Sequence, residues 1–290
     1  MKGFLNYGWG ENGVGAESVG ETVALGADTL YLAGSLVNGG LQQSVATCQS
    51  DFANIIIQPA PLIPVSNSSK LPSLAELAKS MVELVRLSVQ ANGMVVSHES
   101  GSKAEQAVEW IPVLIDTCES LGIEPIILCD SPESAMRDVP QFAEWAKRCS
   151  VIGEVRHAIY DGREGKPAWS WGDTEEGVRK HVRSRCEWFR GRESRLFDGI
   201  CAQLGGWRDW DKVENKYWKW PPFTAMQLGW VLDELTQCGM NERTLVWGWE
   251  SGDFIGFRER KEFQPVLKEF WYPSGSAVLG MCDMLTAMGK

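Results

Sequence analysis

Little in this sequence points to metal, disulfide or nucleotide chemistry. Only three histidines occur among 290 residues, with no HxH or HExxH spacing, so no metal site is expected. None of the eight cysteines, at positions 48, 118, 129, 149, 186, 201, 238 and 282, forms a CxxC pair. Several sit in apolar runs such as IILCDS and GICAQL, which predicts reduced thiols filling core space. No GxGxxG or GxxxxGK[ST] follows the first strand-like run, and GWGENGVG matches neither spacing, so no nucleotide cofactor is expected. A GxSxG motif is also missing, which leaves Ser–His and Cys–His nucleophiles with little support. No uninterrupted apolar run approaches the roughly 20 residues of a membrane helix. The opening MKGFLNYGWG has neither a long apolar core nor a small-residue cleavage site. It predicts the start of a fold and no signal peptide, hence a cytoplasmic or other reducing compartment. Positive charge is in deficit: 28 basic against 38 acidic residues give a net charge of -10, which disfavours a nucleic-acid partner. The one basic stretch, 179–195, is interrupted by Glu187 and Glu193, and its Val182, Cys186 and Phe189 recur at helical spacing. It reads as a solvated helix face.

What is present is an alternation. Hydrophobic residues make up 44% and charged residues 23%, an ordinary globular balance. Strand-like runs are expected at 4–10, 29–35, 54–62, 93–100, 124–131, 150–162, 198–207 and 243–254. Helical periodicity separates most of them, at 73–92 (capped by Ser73, with Glu76 three positions on), 103–122, 134–149, 179–195 and 224–239, and follows the last at 261–288. Pro112 and Pro140 are expected to kink or divide their helices. Short apolar strands bounded by helices indicate a parallel sheet covered on both faces. Eight of them in this length predict a (β/α)8 TIM barrel, one domain over 1–290, with long loops after the sixth and seventh strands. A doubly wound open sheet is the alternative.

In such a barrel the chemistry gathers at the C-terminal ends of the strands. Reading those ends gives Gln58 on the third strand, His98 and Glu99 on the fourth, and Asp130 on the fifth. The sixth supplies Glu154, Arg156 and His157, the seventh Gln203 and Trp207, and the eighth Trp249 and Glu250. Glu99, Glu154 and Glu250 lie in or directly after the apolar runs MVVSHE, VIGEVRHAI and LVWGWE, where a carboxylate needs a partner or its pKa rises. Strand alternation puts Val246, Gly248 and Glu250 on one face, expected to be the interior, and Trp247 and Trp249 on the other, where packing under the helices is expected ahead of sugar stacking. Tryptophan is abundant, with 14 residues. Those in the long loops, Trp169, Trp171, Trp207, Trp210, Trp218 and Trp220, are candidates for an aromatic wall.

Carboxylates around a Trp-rimmed mouth suit hydrolysis of a glycosidic bond: one protonates the leaving oxygen while another attacks or activates water. Here the sequence resembles the retaining (β/α)8 glycoside hydrolases. The resemblance implies Glu99, in SHES, as acid/base and Glu250, in WGWES, as nucleophile. It departs from them at two points. His98 precedes Glu99 where the family carries an asparagine, and Glu250 falls on the eighth strand where the family's nucleophile ends the seventh; Glu154 is the third candidate. His98, Asp130, Arg156, His157, Gln203, Trp207 and Trp249 would line the substrate site. The expected partner is carbohydrate, with a possible protein contact through 207–223. Two other classes stay open: a metal-dependent sugar-isomerase-like enzyme, and a non-catalytic sugar-binding or structural barrel in a larger assembly.

Overall fold

The eight barrel strands are runs of four to seven residues with apolar centres and polar residues towards their ends, the pattern of strands buried on both faces. The computed structural model describes residues 1–7, 16–35, 40–60, 82, 91–98, 111–129, 140–156, 174–190, 199–203, 206–207, 224–240, 243–249 and 254–273. In chain order the strands are β1 (Lys2–Tyr7), β2 (Thr29–Ser35), β3 (Asn54–Ala60), β4 (Gly93–His98) and β5 (Glu124–Cys129), then β6 (Ser150–Arg156) and β7 (Gly199–Gln203). The two-residue β8 (Gly206–Trp207), β9 (Thr244–Trp247) and the two-residue β10 (Phe254–Ile255) follow. Strands β1 to β7 and β9 pair in parallel in that order, and β9 also pairs with β1, so the sheet closes into a barrel. The register slips once, between Val95 and Ser97 of β4.

Helices return the chain between strands. They are α1 (Ala16–Ala24), α2 (Gly40–Cys48), α3 (Ile111–Leu121), α4 (Phe142–Ala146), α5 (Glu175–Arg190), α6 (Ala225–Gln237) and α7 (Gln264–Trp271). Between β3 and β4 the described residues are Val82, in helical conformation, and Ala91 and Asn92 just before β4, so the expected cap at Ser73 lies outside the described residues. Helix α4 starts at Phe142, two residues past Pro140, which has no N–H to continue a helix through it. Helix α6 opens with a capping box: the Gln227 N–H donates to Thr224 Oγ1 at 3.2 Å, and the Thr224 N–H donates to Gln227 Oε1 at 3.1 Å. Among the described residues, no helix is long and apolar enough to cross a membrane.

The register sorts side chains into two layers. The Phe4 ring lies 5.1 Å from that of Trp271 on α7, so its row, with Leu30 and Ile55, faces the helices. The alternate row fills the interior with Tyr31, Ile56, Val95, Ile126, Leu128, Ile152 and Leu245, all buried. Gly93 makes room in that layer, because a Cβ there would stand 2.6 Å from Ile126 Cδ1. The barrel is a packed core, not a pore.

The basic stretch is a helix, as its spacing predicts. Val178, Val182 and Cys186 of α5 are buried, while Arg183 forks onto Glu234 of α6 at 2.7 and 3.0 Å. Arg179 reaches Glu175 at 2.7 Å and Asp233 at 3.2 Å. Glu234 is 1% exposed, so its carboxylate needs that guanidinium. Cys48, Cys118, Cys149, Cys186 and Cys238 are buried thiols that form no disulfide. Burial pushes the thiols of Cys48, Cys118 and Cys149 up to about 12, so they stay protonated at neutral pH.

His181 on α5 supplies a test of this packing. Burial, reinforced by the nearby Arg185 charge, lowers its pKa from 6.5 to about 4. The unfolded chain therefore takes up a proton that the folded chain refuses, and the stability His181 confers is lost as pH falls from 6.5 to 4. Thermal unfolding across that window should show a shallower loss of Tm in His181→Gln than in the wild type. Parallel curves would mean that the imidazole is not buried as described.

Candidate active site

Because every barrel strand runs the same way, the C-terminal ends of β4, β5, β6, β7 and β9 open on one rim. His98 ends β4, and its backbone is in register with Leu128 of β5. Glu154 and Arg156 stand two apart on β6, in register with Cys201 and Gln203 of β7, so Arg156 and Gln203 are direct backbone neighbours at the rim. Glu154 stands two residues after Ile152 on β6. Glu99 directly follows β4, Asp130 directly follows β5 and His157 directly follows β6; all three lie outside the described residues, as does Glu250, next to Trp249. Of the 207–223 segment, Trp207 is described: β8 pairs it antiparallel with Phe254 of β10. The loop tryptophans at 169, 171, 210, 218 and 220 lie outside.

Two expectations for the eighth barrel strand are corrected. Val246 is in register with Phe4, whose ring touches α7, so Val246 faces the helices and not the interior. The strand ends at Trp247, and Gly248 interrupts the alternation, so no face assignment carries through to Glu250. Trp249, expected at the substrate, is 0% exposed. Its ring lies 4.6 Å from that of Phe4, and its indole N–H donates to Ser18 Oγ of α1 at 2.8 Å. A tryptophan closed on its face and at its polar tip has nothing left to offer a sugar ring. It belongs to the wall between barrel and helices.

That burial has a structural use. Backbone N–H groups of Phe257 and Arg258 donate to the carbonyls of Gly248 and Trp249, each at 3.1 Å. These bonds hold both ends of the segment that carries Glu250. Gly256 is required for the close approach, since a Cβ there would meet the Trp249 carbonyl oxygen at 2.3 Å. Arg258 is itself tied to α1, 2.7 Å from Glu21 and 3.2 Å from Glu17. Deeper in the barrel, the Tyr31 hydroxyl donates to Gln58 Oε1, and both residues are buried. Tyr31, Ser18, Glu21 and Arg258 escape a reading of strand ends. Ser18 is separated from Trp249 by 231 positions, and nothing local announces the pair.

The sequence matches no family model and no curated protein. The fold does match solved structures over nearly their whole length. A family 5 xyloglucanase from Paenibacillus pabuli superposes with a TM-score of 0.56 at 11% identity, covering 93% of this chain and 97% of that one. The endoglucanase Cel5A of Pseudomonas stutzeri gives 0.56 at 12% identity, with 96% of each chain covered. An endocellulase from Pyrococcus horikoshii, in complex with cellotetraose, gives 0.56 at 10% identity, covering 100% of this chain and 92% of that one. The likeness is one of fold, and it agrees with the α/β barrel expected from the sequence.

The role of Trp249 separates two outcomes. Trp249→Ala should destabilise the protein by about 3–5 kcal/mol in urea unfolding, the cost of emptying a buried aromatic site. A variant as stable as the wild type that binds glycan less tightly would return Trp249 to the substrate.

Proposed function

We propose that the chain is a single barrel domain, spanning 1–290, that hydrolyses glycosidic bonds in an oligo- or polysaccharide at the rim where β4, β6, β7 and β9 end. The observation that carries this reading is the end-to-end fold likeness to a xyloglucanase and endoglucanases, joined to a sequence that sets Glu99 directly after β4 and Glu250 directly after the anchored Trp249. The substrate class that follows is a glucan of the cellulose or xyloglucan type.

In this reading Glu99 is the acid that protonates the leaving oxygen. Glu250 is the ionised partner, and Glu154 of β6 tunes the field between them. His98, Arg156, Gln203 and Trp207, with Asp130 and His157, bind the sugar hydroxyls and ring faces. The strand count matters to the mechanism. β9 is the eighth strand of the ring, so β4 and β9 face one another across it. That span is wider than the one between the fourth and seventh strands used by the retaining family. It suits a carboxylate pair about 6.5–9.5 Å apart with water between them, which is the inverting arrangement.

One observation favours a second reading. β7 ends in Gln203, where the family carries its nucleophilic glutamate. A barrel that binds the glycan without cleaving it would leave that position without a carboxylate.

Incubation with cello-oligosaccharides and xyloglucan distinguishes the two. The wild type should release shortened oligosaccharides, and proton NMR should show the first-formed product with inverted anomeric configuration. Glu99→Gln and Glu250→Gln should each lower kcat by about 10²–10⁴-fold with an unchanged far-ultraviolet spectrum. Glycan binding by calorimetry without any turnover would establish the second reading. Turnover by Glu250→Gln within a few-fold of the wild type would remove the role given to that residue.

A further inference from the structure

Helix α1 stands outside the barrel and lends no side chain to the strand ends, yet it holds both ends of the Glu250 segment. Ser18 and Glu21 are one helical turn apart, so they present to the same side, with Glu17 beside them. Ser18 takes the indole N–H of Trp249, the residue before Glu250. Glu21 and Glu17 take the guanidinium of Arg258, whose own backbone N–H closes onto the Trp249 carbonyl. Indole, carbonyl and guanidinium thus form one circuit from α1 to the chain before Glu250 and back to α1 from the chain after it. Ser18 is 2% exposed and the Trp249 ring is enclosed by Phe4, so the link lies in a dry region where a hydrogen bond is strong and its loss costly.

We propose that Ser18 is a positioning residue for Glu250, acting through the Trp249 indole to fix the peptide from which the carboxylate projects. The inference rests on the hydrolase reading above. A carboxylate in a glycosidase works only at a set distance from the anomeric carbon, and a displacement of about 1 Å lowers the rate by about a hundredfold. Strand β9 cannot set that distance, because it ends at Trp247 and Gly248 follows. Beyond it the chain is held by the backbone bonds at Gly248 and Trp249 and, among the described side chains, by the indole on Ser18.

The test is a double-mutant cycle with Ser18→Ala, Trp249→Phe and the double variant, assayed below the lowest Tm of the set. Val45→Ala, a buried site on α2, serves as a control for lost stability alone. Each single variant should lose kcat about tenfold to a hundredfold with KM within about twofold. The double variant should be no slower than the worse single variant, since both remove the same link. The pH limb of kcat that reports Glu250 should move in Ser18→Ala and stay in place in Val45→Ala. Full kcat and an unmoved pH profile in Ser18→Ala, with Glu250→Gln inactive, would overturn the positioning role and leave the hydrolase reading standing. Turnover by Glu250→Gln, or none by the wild type, would overturn the hydrolase reading and the positioning role with it.

Discussion

Everything else in this protein depends on the pairing of β9 with β1. A parallel strand at the edge of an open sheet leaves a row of backbone donors and acceptors without partners. Here β9 has β7 on one side and β1 on the other, and the edge disappears. Closure divides the side chains into an inner layer too tight for water and an outer layer that the helices must cover. It also sends every strand's C-terminal end to the same rim. Residues as distant in sequence as His98, Arg156 and Gln203 thus share a mouth without contacting each other through any local motif.

The interior leaves the chemistry no other location. Tyr31, Ile56, Val95, Ile126, Leu128, Ile152 and Leu245 fill the barrel, and the one buried polar pair named in that layer, Tyr31 with Gln58, satisfies itself. The described interior thus leaves the rim as the place where polar side chains can gather, on a rigid base. At β9 that base is reinforced. The ring of Trp249 meets Phe4, and Phe4 meets Phe257 and Trp271, so a single aromatic cluster joins β1, the residues that follow β9 and β10, and helix α7. Electrostatics follow the same economy. The guanidinium groups of Arg179, Arg183 and Arg258 each bridge two elements of the fold, in a chain whose net charge is -10.

The strands were legible because burial on both faces writes an apolar run, and the expected 29–35 agrees residue for residue with β2. Their ends were less so. The run 243–254 reads as one strand because tryptophan is apolar wherever it packs; the structure breaks it at Gly248 and turns Trp249 into the wall. The same limit undid the inward assignment of Val246, since alternation gives two faces but not which is inside. That choice was made by Phe4 touching α7. For the site, the sequence supplied which residues stand at strand ends, and the parallel closure supplied the common rim.

By itself the sequence determined the class of fold, the order of its strands, the helical nature of the basic stretch and the burial of cysteines in apolar runs such as that of Cys118. These follow from local periodicity and composition, which a single chain carries wherever it folds. Only the tertiary structure decided which row of each strand is interior, that β9 closes on β1 in place of the open sheet, and that Ser18 holds Trp249 across 231 residues. Such facts are choices of partner, and a hydrogen-bonding group or an apolar face specifies the need for a partner without specifying which one meets it.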